Sequence, residues 1–166
     1  MRLATQELEL RDLEIIDDHD SVLVDPLYMA SPAMDAIADL LFECPLLLGL
    51  RSDALCELST GSGCFDIEET GKPFALDHGL YIVVDGALIC HIGVMSFDIV
   101  RGEFAGEHVL VDTLAGITPT FTTRSPATVL HVPAPMVRFL SADSPKLSDT
   151  LADGPLLRAL MRAAGE

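Results

Sequence analysis

Between Cys64 and about Val132 the chain is cut into short apolar or alternating runs: "CFDI", "PFAL", "LYIVV", "ALICHIG", "FDIV", "TPTFTT" and "ATVLHV". The stretches "ETGK", "DHG", "DG" and "RGE" punctuate them with turn-forming residues. Runs this short and this regularly interrupted predict antiparallel strands folded into a sandwich or roll. Within "VVDGAL", Asp85-Gly86 can supply the positive φ angles of a tight turn, so the segment reads as a hairpin between two apolar strands.

Helical periods flank this centre. From Ala33, residues Met34, Ile37, Leu40 and Leu41 fall on one face, with Pro32 near the helix start. Ser52 is placed to cap a second short helix with Leu55 and Leu58 inward, and "CPLLLGL" connects the two. After Pro133 come "APMVRFLSA", a helix entry at Ser144-Pro145, and "KLSDTLA". Asp153-Gly154-Pro155 interrupts the pattern before "LLRALMRAA" resumes it, because proline lacks the amide donor that an interior helical position needs.

A chain of 166 residues is about one domain. Its hydrophobic content of 49% predicts a packed core, yet no apolar run reaches the roughly 18 residues of a membrane span, so membrane insertion is not expected. The N-terminus lacks the pattern of a secretory signal, which makes a cytoplasmic location the expectation. A net charge of −16, with ten Lys and Arg spread along the chain, argues against nucleic-acid binding and for docking on a basic protein face. Residues 1–40 hold ten acids against Arg2 and Arg11, including the run Asp17 to Asp20 around His19. Residues 1–32 therefore read as an acidic extension, either a partner-docking arm or a solvated one, in which "LELRDLEII" and "SVLVDPLYM" alternate like strands. Residues 33–166 read as the domain itself.

Helix, short helix, β-roll and closing helices in that order resemble the cyclic nucleotide-binding domain of catabolite-activator-type regulators, kinase regulatory subunits and gated channels. "LLFECPLLLGLRSDALCELS" resembles that family's entry helices, "GLYIVVDGAL" its central strand pair, and "RGEFAGEHVL" its phosphate-binding cassette. "VLHVP" resembles the exit from its last strand. The resemblance covers residue 33 to about 165 and implies a mainly β fold: an antiparallel β-roll, or jelly roll, flanked by N- and C-terminal helices.

The resemblance also implies a ligand cassette over Phe104, Ala105, Gly106, Glu107 and His108. In that family the glycine lets backbone amides approach an exocyclic phosphate, and the following glutamate accepts the ribose 2′-hydroxyl. An arginine about nine residues further on then neutralises the phosphate. Here that place falls at Gly116 or Ile117, and neither Lys nor Arg occurs between Arg101 and Arg124. Arg124 itself is expected in the next inter-strand turn. Losing a charge-assisted bidentate pair costs about a hundredfold or more in affinity, so capture of cyclic nucleotides is expected to be lost. Asp112 adds unfavourable charge nearby. Glu107 then has two readings: a kept ribose contact, or a structural carboxylate that accepts backbone amides.

Other chemistry finds little support. The five histidines, His19, His78, His91, His108 and His131, contain no H-x-H of the kind a cupin-like metal site needs, and no metal or other cofactor is expected. Cys44, Cys56, Cys64 and Cys90 form no C-x-x-C or iron–sulfur spacing and read as small core hydrophobes. Cys90 and His91, adjacent on a strand, point to opposite faces and cannot share a haem iron. No Ser or Cys sits in a G-x-S-x-G elbow, so no catalytic residue is assigned.

The expectation is thus a regulatory or scaffolding subunit working through another protein, a larger complex or its own homo-oligomer. The alternative is a small-molecule sensor using the roll pocket. Leu156, Leu157, Leu160 and Met161 form an apolar helix face that serves either a partner or the helix's own packing on the roll. The chain ends after that helix, so a direct transcriptional role would need a DNA-binding module on another chain.

Overall fold

The structure, a computed structural model, describes residues 32–165. The alternating segments of the acidic extension, and His19, lie outside the described residues. The entry helices are α1 (Pro32–Leu40), α2 (Pro45–Leu48) and α3 (Ser52–Gly61). α1 buries Ala33, Ala36, Ile37 and Leu40, a stripe at helical spacing, which turns Met34 partly to solvent rather than inward as its period predicts. Ser52 is the first residue of α3 rather than its cap: Arg51 holds that position without a side-chain cap bond.

The roll follows as β1 (Gly63–Ile67), β2 (Gly79–Asp85), β3 (Ala87–Ile92), β4 (Met95–Val100), β5 (Phe104–Ala105), β6 (Thr120–Thr122) and β7 (Ala127–Pro133). All pairings are antiparallel, in one sheet of order β1-β7-β2-β5 and a second of order β4-β3-β6. "PFAL" forms no strand and contributes one bridge, Phe74 to Phe121.

The "VVDGAL" segment departs from its expected hairpin. β2 and β3 do not pair, because β2 already has β7 on one edge and β5 on the other. Asp85-Gly86 instead carries the chain from one sheet to the other. Gly86 (φ +75°) lies so close to β7 that a Cβ there would come 2.8 Å from the Pro126 carbonyl oxygen. The register of β2 on β7 also shifts between Val83 and Asp85, bending the strand at the crossing. The true hairpin is β3–β4, closed by Gly93-Val94 with Ile92 opposite Met95.

β2 and β7 are buried on both faces, which explains why "LYIVV" and "TVLHV" read as nearly continuous apolar runs. Leu80, Ile82, Leu130 and Val132 pack with Ile37, Leu40, Leu47 and Leu58 of the entry helices. Val83, Ala127 and Val129 join Leu88, Cys90, Ile99, Leu114 and Phe121 inside the roll. Cys90 points inward, and His91 points away to hydrogen-bond Thr122 Oγ1 at 2.8 Å, as the strand period requires.

Three helices close the chain: α4 (Ala134–Ala142), α5 (Pro145–Ala152) and α6 (Pro155–Ala164). Ser144 caps α5 by accepting the Leu147 amide at 3.3 Å. The break at Asp153-Gly154 separates α5 from α6, with Pro155 at the first turn of α6. Val137, Leu140, Leu147 and Leu151 join the helix-side core, whereas Leu156 enters the core of the roll. No helix among the described residues is long and apolar enough to cross a membrane.

Candidate functional site

The cassette begins where β4 ends. Gly102 donates its amide to Val83 and Val83 donates to Glu103, both at 2.9 Å, so the turn after β4 is stitched to β2. Arg101, on the same turn, donates to Glu43 at 2.8 Å and to the Val84 carbonyl oxygen. β5 then places Phe104 opposite Ile82 and Ala105 opposite Tyr81, and both residues are buried.

Gly106 stands at the turn out of β5 with φ +97°. A Cβ there would fall 2.0 Å from the Gly79 carbonyl oxygen, so the position admits only glycine. Two short 3-10 turns follow, Glu107–Val109 and Asp112–Leu114. The amides of Leu110 and Val111 both donate to the Glu107 carbonyl oxygen at 2.9 Å, and Val109 donates to Gly106 at 3.1 Å. Those three donors are used within the loop.

Glu107 is 1% exposed. Its Oε1 accepts the Leu156 amide of α6 at 2.7 Å. Burial pushes its carboxyl up to about 7, against the lowering effects of the Leu156 amide, its own amide and Arg158; Glu103 adds to the rise. Of the two roles open to this glutamate, the structural one is what the geometry displays: a carboxyl group closed on the first turn of a helix. Gly154 makes the approach possible, since a Cβ there would stand 2.8 Å from Oε1 and 3.0 Å from the Phe104 ring.

His108 is turned inward with its side chain 7% exposed, its ring 6.5 Å from that of Phe121. Nε2 lies 3.5 Å from Asp77 Oδ1, Nδ1 has no partner among the described residues, and burial lowers the imidazole pKa. Gly116 is exposed, and Ile117 is half-buried against the core of the roll. Neither supplies positive charge. Arg124 lies in the turn between β6 and β7, 78% exposed and 3.8 Å from Asp98, so it does not replace the missing arginine. Arg158 of α6 reaches towards the site and is paired with Glu103 at 3.3 Å.

α6 lies against the roll. Leu156 is buried in the core, Leu157 and Leu160 are half-buried against the same cluster, and Met161 is 67% exposed. Of the face expected from sequence, Met161 is the member left open; the three leucines pack on the chain's own roll, the second of the two uses its pattern allowed. A cleft of about 520 Å³ between Arg101, Glu103, Lys146, Asp149 and Arg158 touches the cassette at Phe104. Another, of about 380 Å³, lies between Phe65, Phe74, Tyr81 and Val129 and includes no residue from Gly106 to Ile117. Among the described residues no group of three or more His, Cys, Asp or Glu is arranged to hold a metal ion.

Entry helices, two antiparallel sheets, a Gly-Glu turn between β5 and β6, and a helix closing over that turn make one combination. The chain has the cyclic nucleotide-binding-domain fold. It is similar to a structure described as Sp-2Cl-cAMPS bound to PKAR CBD2, at 13% identity and a TM-score of 0.60, over 81% of this chain and 95% of that one. It is also similar to the regulatory subunit of a cAMP-independent protein kinase A from Trypanosoma brucei, a mutant bound to cAMP in the A site. There the identity is 13% and the TM-score 0.60, over 80% of this chain and 53% of that one. The N-terminal domain of a transcriptional regulator from Streptomyces coelicolor A3(2) matches at 22% identity and a TM-score of 0.50, over 76% and 92%. At these identities the likeness is one of fold. No protein-family model matches the sequence, and no curated protein matches it.

In this chain Phe104 and Ala105 form β5, and Gly106 and Glu107 make the turn that leaves it. What sequence reasoning missed is the Glu107–Leu156 contact, which spans 49 residues. The available signal was the glycine of Gly154-Pro155, which reads as a helix break and also serves as clearance for a carboxyl group.

Proposed function

We propose that this chain is a non-catalytic regulatory or scaffolding module that does not capture cyclic nucleotides and acts through protein contacts. The observation that carries the reading is the Glu107 carboxyl group, buried and bonded to the Leu156 amide of the chain's own α6. The group that would meet a ribose hydroxyl is occupied, and Gly116 and Ile117 bring no cation to meet a phosphate. A cyclic nucleotide would have to displace α6 from the roll and desolvate its phosphate with no arginine partner, at a cost of a few kcal/mol for the missing pair alone. The net charge of −16 suits a partner with a basic face.

Isothermal titration of the full chain with cyclic AMP and with cyclic GMP tests the reading. No saturable heat below about 1 mM ligand is expected. Micromolar binding of either nucleotide would overturn it and establish the sensor alternative, with Gly106 and Glu107 as ligand contacts. Light scattering and pull-down address the partner half: a monomer that retains no protein contradicts the scaffold.

A further inference from the structure

The contact that closes the cassette has a protonation state, and α6 is tied to the roll through it. Glu107 Oε1 accepts the Leu156 amide at 2.7 Å from inside a site where the residue is 1% exposed. Around this carboxyl group, α6 presents Arg158, the β4–β5 turn presents Glu103, and β3 presents Cys90, whose thiol is pushed up to about 12 by burial and then by the nearby Glu107 charge. Arg158 is engaged with Glu103 at 3.3 Å. The nearest cation is thus shared with another carboxylate, and no salt bridge to Glu107 occurs among the described residues. A neutral carboxyl can accept the Leu156 amide through its carbonyl oxygen without placing a charge in the core. An ionised one keeps that bond and adds a buried charge with incomplete compensation.

We propose that α6 is a displaceable lid latched by the protonated Glu107 carboxyl, and that ionisation of Glu107 favours release of Leu156, Leu157 and Leu160 from the roll. This deepens the protein-contact reading and rests on it, since the released face is the apolar surface a partner would meet. In the closed state burial holds the carboxyl near 7, against an ordinary value of 4.5 once solvated. The raised value means the closed state binds the proton more tightly. Closure is therefore strongest below about 4.5, weakens as pH rises to about 7, and levels off above it.

Amide hydrogen exchange of the full chain between pH 5 and pH 8, corrected for intrinsic rates, reads the lid directly, with β7 amides as an internal reference. The α6 opening constant is expected to rise on the order of fiftyfold over that range while β7 changes little. Glu107→Gln, which keeps the acceptor and cannot ionise, is expected to flatten the α6 profile. Gly154→Ala, which drives a methyl towards Oε1, is expected to raise α6 opening already at pH 5. A flat wild-type profile, or an undiminished rise in Glu107→Gln, overturns the latch; if that variant does not fold, the wild-type profile decides. Nucleotide binding in the calorimeter would instead overturn the functional reading, so the two failures are distinguishable.

Discussion

At Gly106 two demands meet in one residue: a backbone at φ +97° and a Gly79 carbonyl oxygen 2.0 Å from any added Cβ. Gly106→Ala is expected to cost more than about 3 kcal/mol in urea unfolding, because the obstacle is backbone of β2 that cannot move without breaking its pairing with β5 and β7. A loss under 1 kcal/mol, roughly that of an ordinary surface change, would mean the turn is looser than described. This residue was found through the resemblance of "RGEFAGEHVL" to a ligand cassette, since Gly102-Glu103 after β4 shows the same Gly-Glu pair and spacing alone does not separate them. Its neighbours were less legible. Glu107 and His108 find Leu156 and Asp77, 49 and 31 residues away, and periodicity has no access to pairings at that range.

Among the elements, α6 shows what a face pattern can and cannot reveal. The spacing of Leu156, Leu157, Leu160 and Met161 marks an apolar stripe, but whether it meets a partner or the chain's own roll depends on where the break at Gly154-Pro155 aims the helix. Leu156 is buried, so Leu156→Ala should lower stability by about 3 kcal/mol, whereas Met161→Ala, 67% exposed, should change it by no more than about 0.5 kcal/mol. Chemical denaturation of the two variants side by side checks this, and equal effects would refute the packing. The "VVDGAL" turn carries the same lesson. Its chemistry correctly announced a reversal at Gly86, while the choice between hairpin and sheet crossing was made by β5 and β7 occupying both edges of β2. Most strand runs, the helices and their order were readable because burial imposes their periods, while "PFAL" formed a single bridge and Ser52 stood inside its helix rather than at the cap. Partners across the roll were not readable.

For the whole molecule, two buried groups pull stability in opposite directions with pH. Glu107, raised to about 7, contributes stability that is complete below 4.5 and lost as pH rises through 7, a loss on the order of 3 kcal/mol. His108, lowered from 6.5 by burial, contributes stability that is present above 6.5 and lost as pH falls through its folded value. Comparing wild type with Glu107→Gln by thermal unfolding from pH 5 to pH 8 separates them. The variant should gain relative to wild type as pH rises to 7, and with Glu107 removed it should show the acid-side loss that His108 contributes; parallel curves would contradict the assignment to Glu107. The same closed carboxyl group carries the proposal that this chain does not capture cyclic nucleotides. Its most direct test is the Leu156 amide resonance during a titration of the isotope-labelled full chain with cyclic AMP. The Leu156 and Gly106 amides are expected to stay unmoved to about 1 mM ligand. A saturable shift of both at micromolar ligand would show that the nucleotide takes Glu107 from α6, and would contradict the proposal.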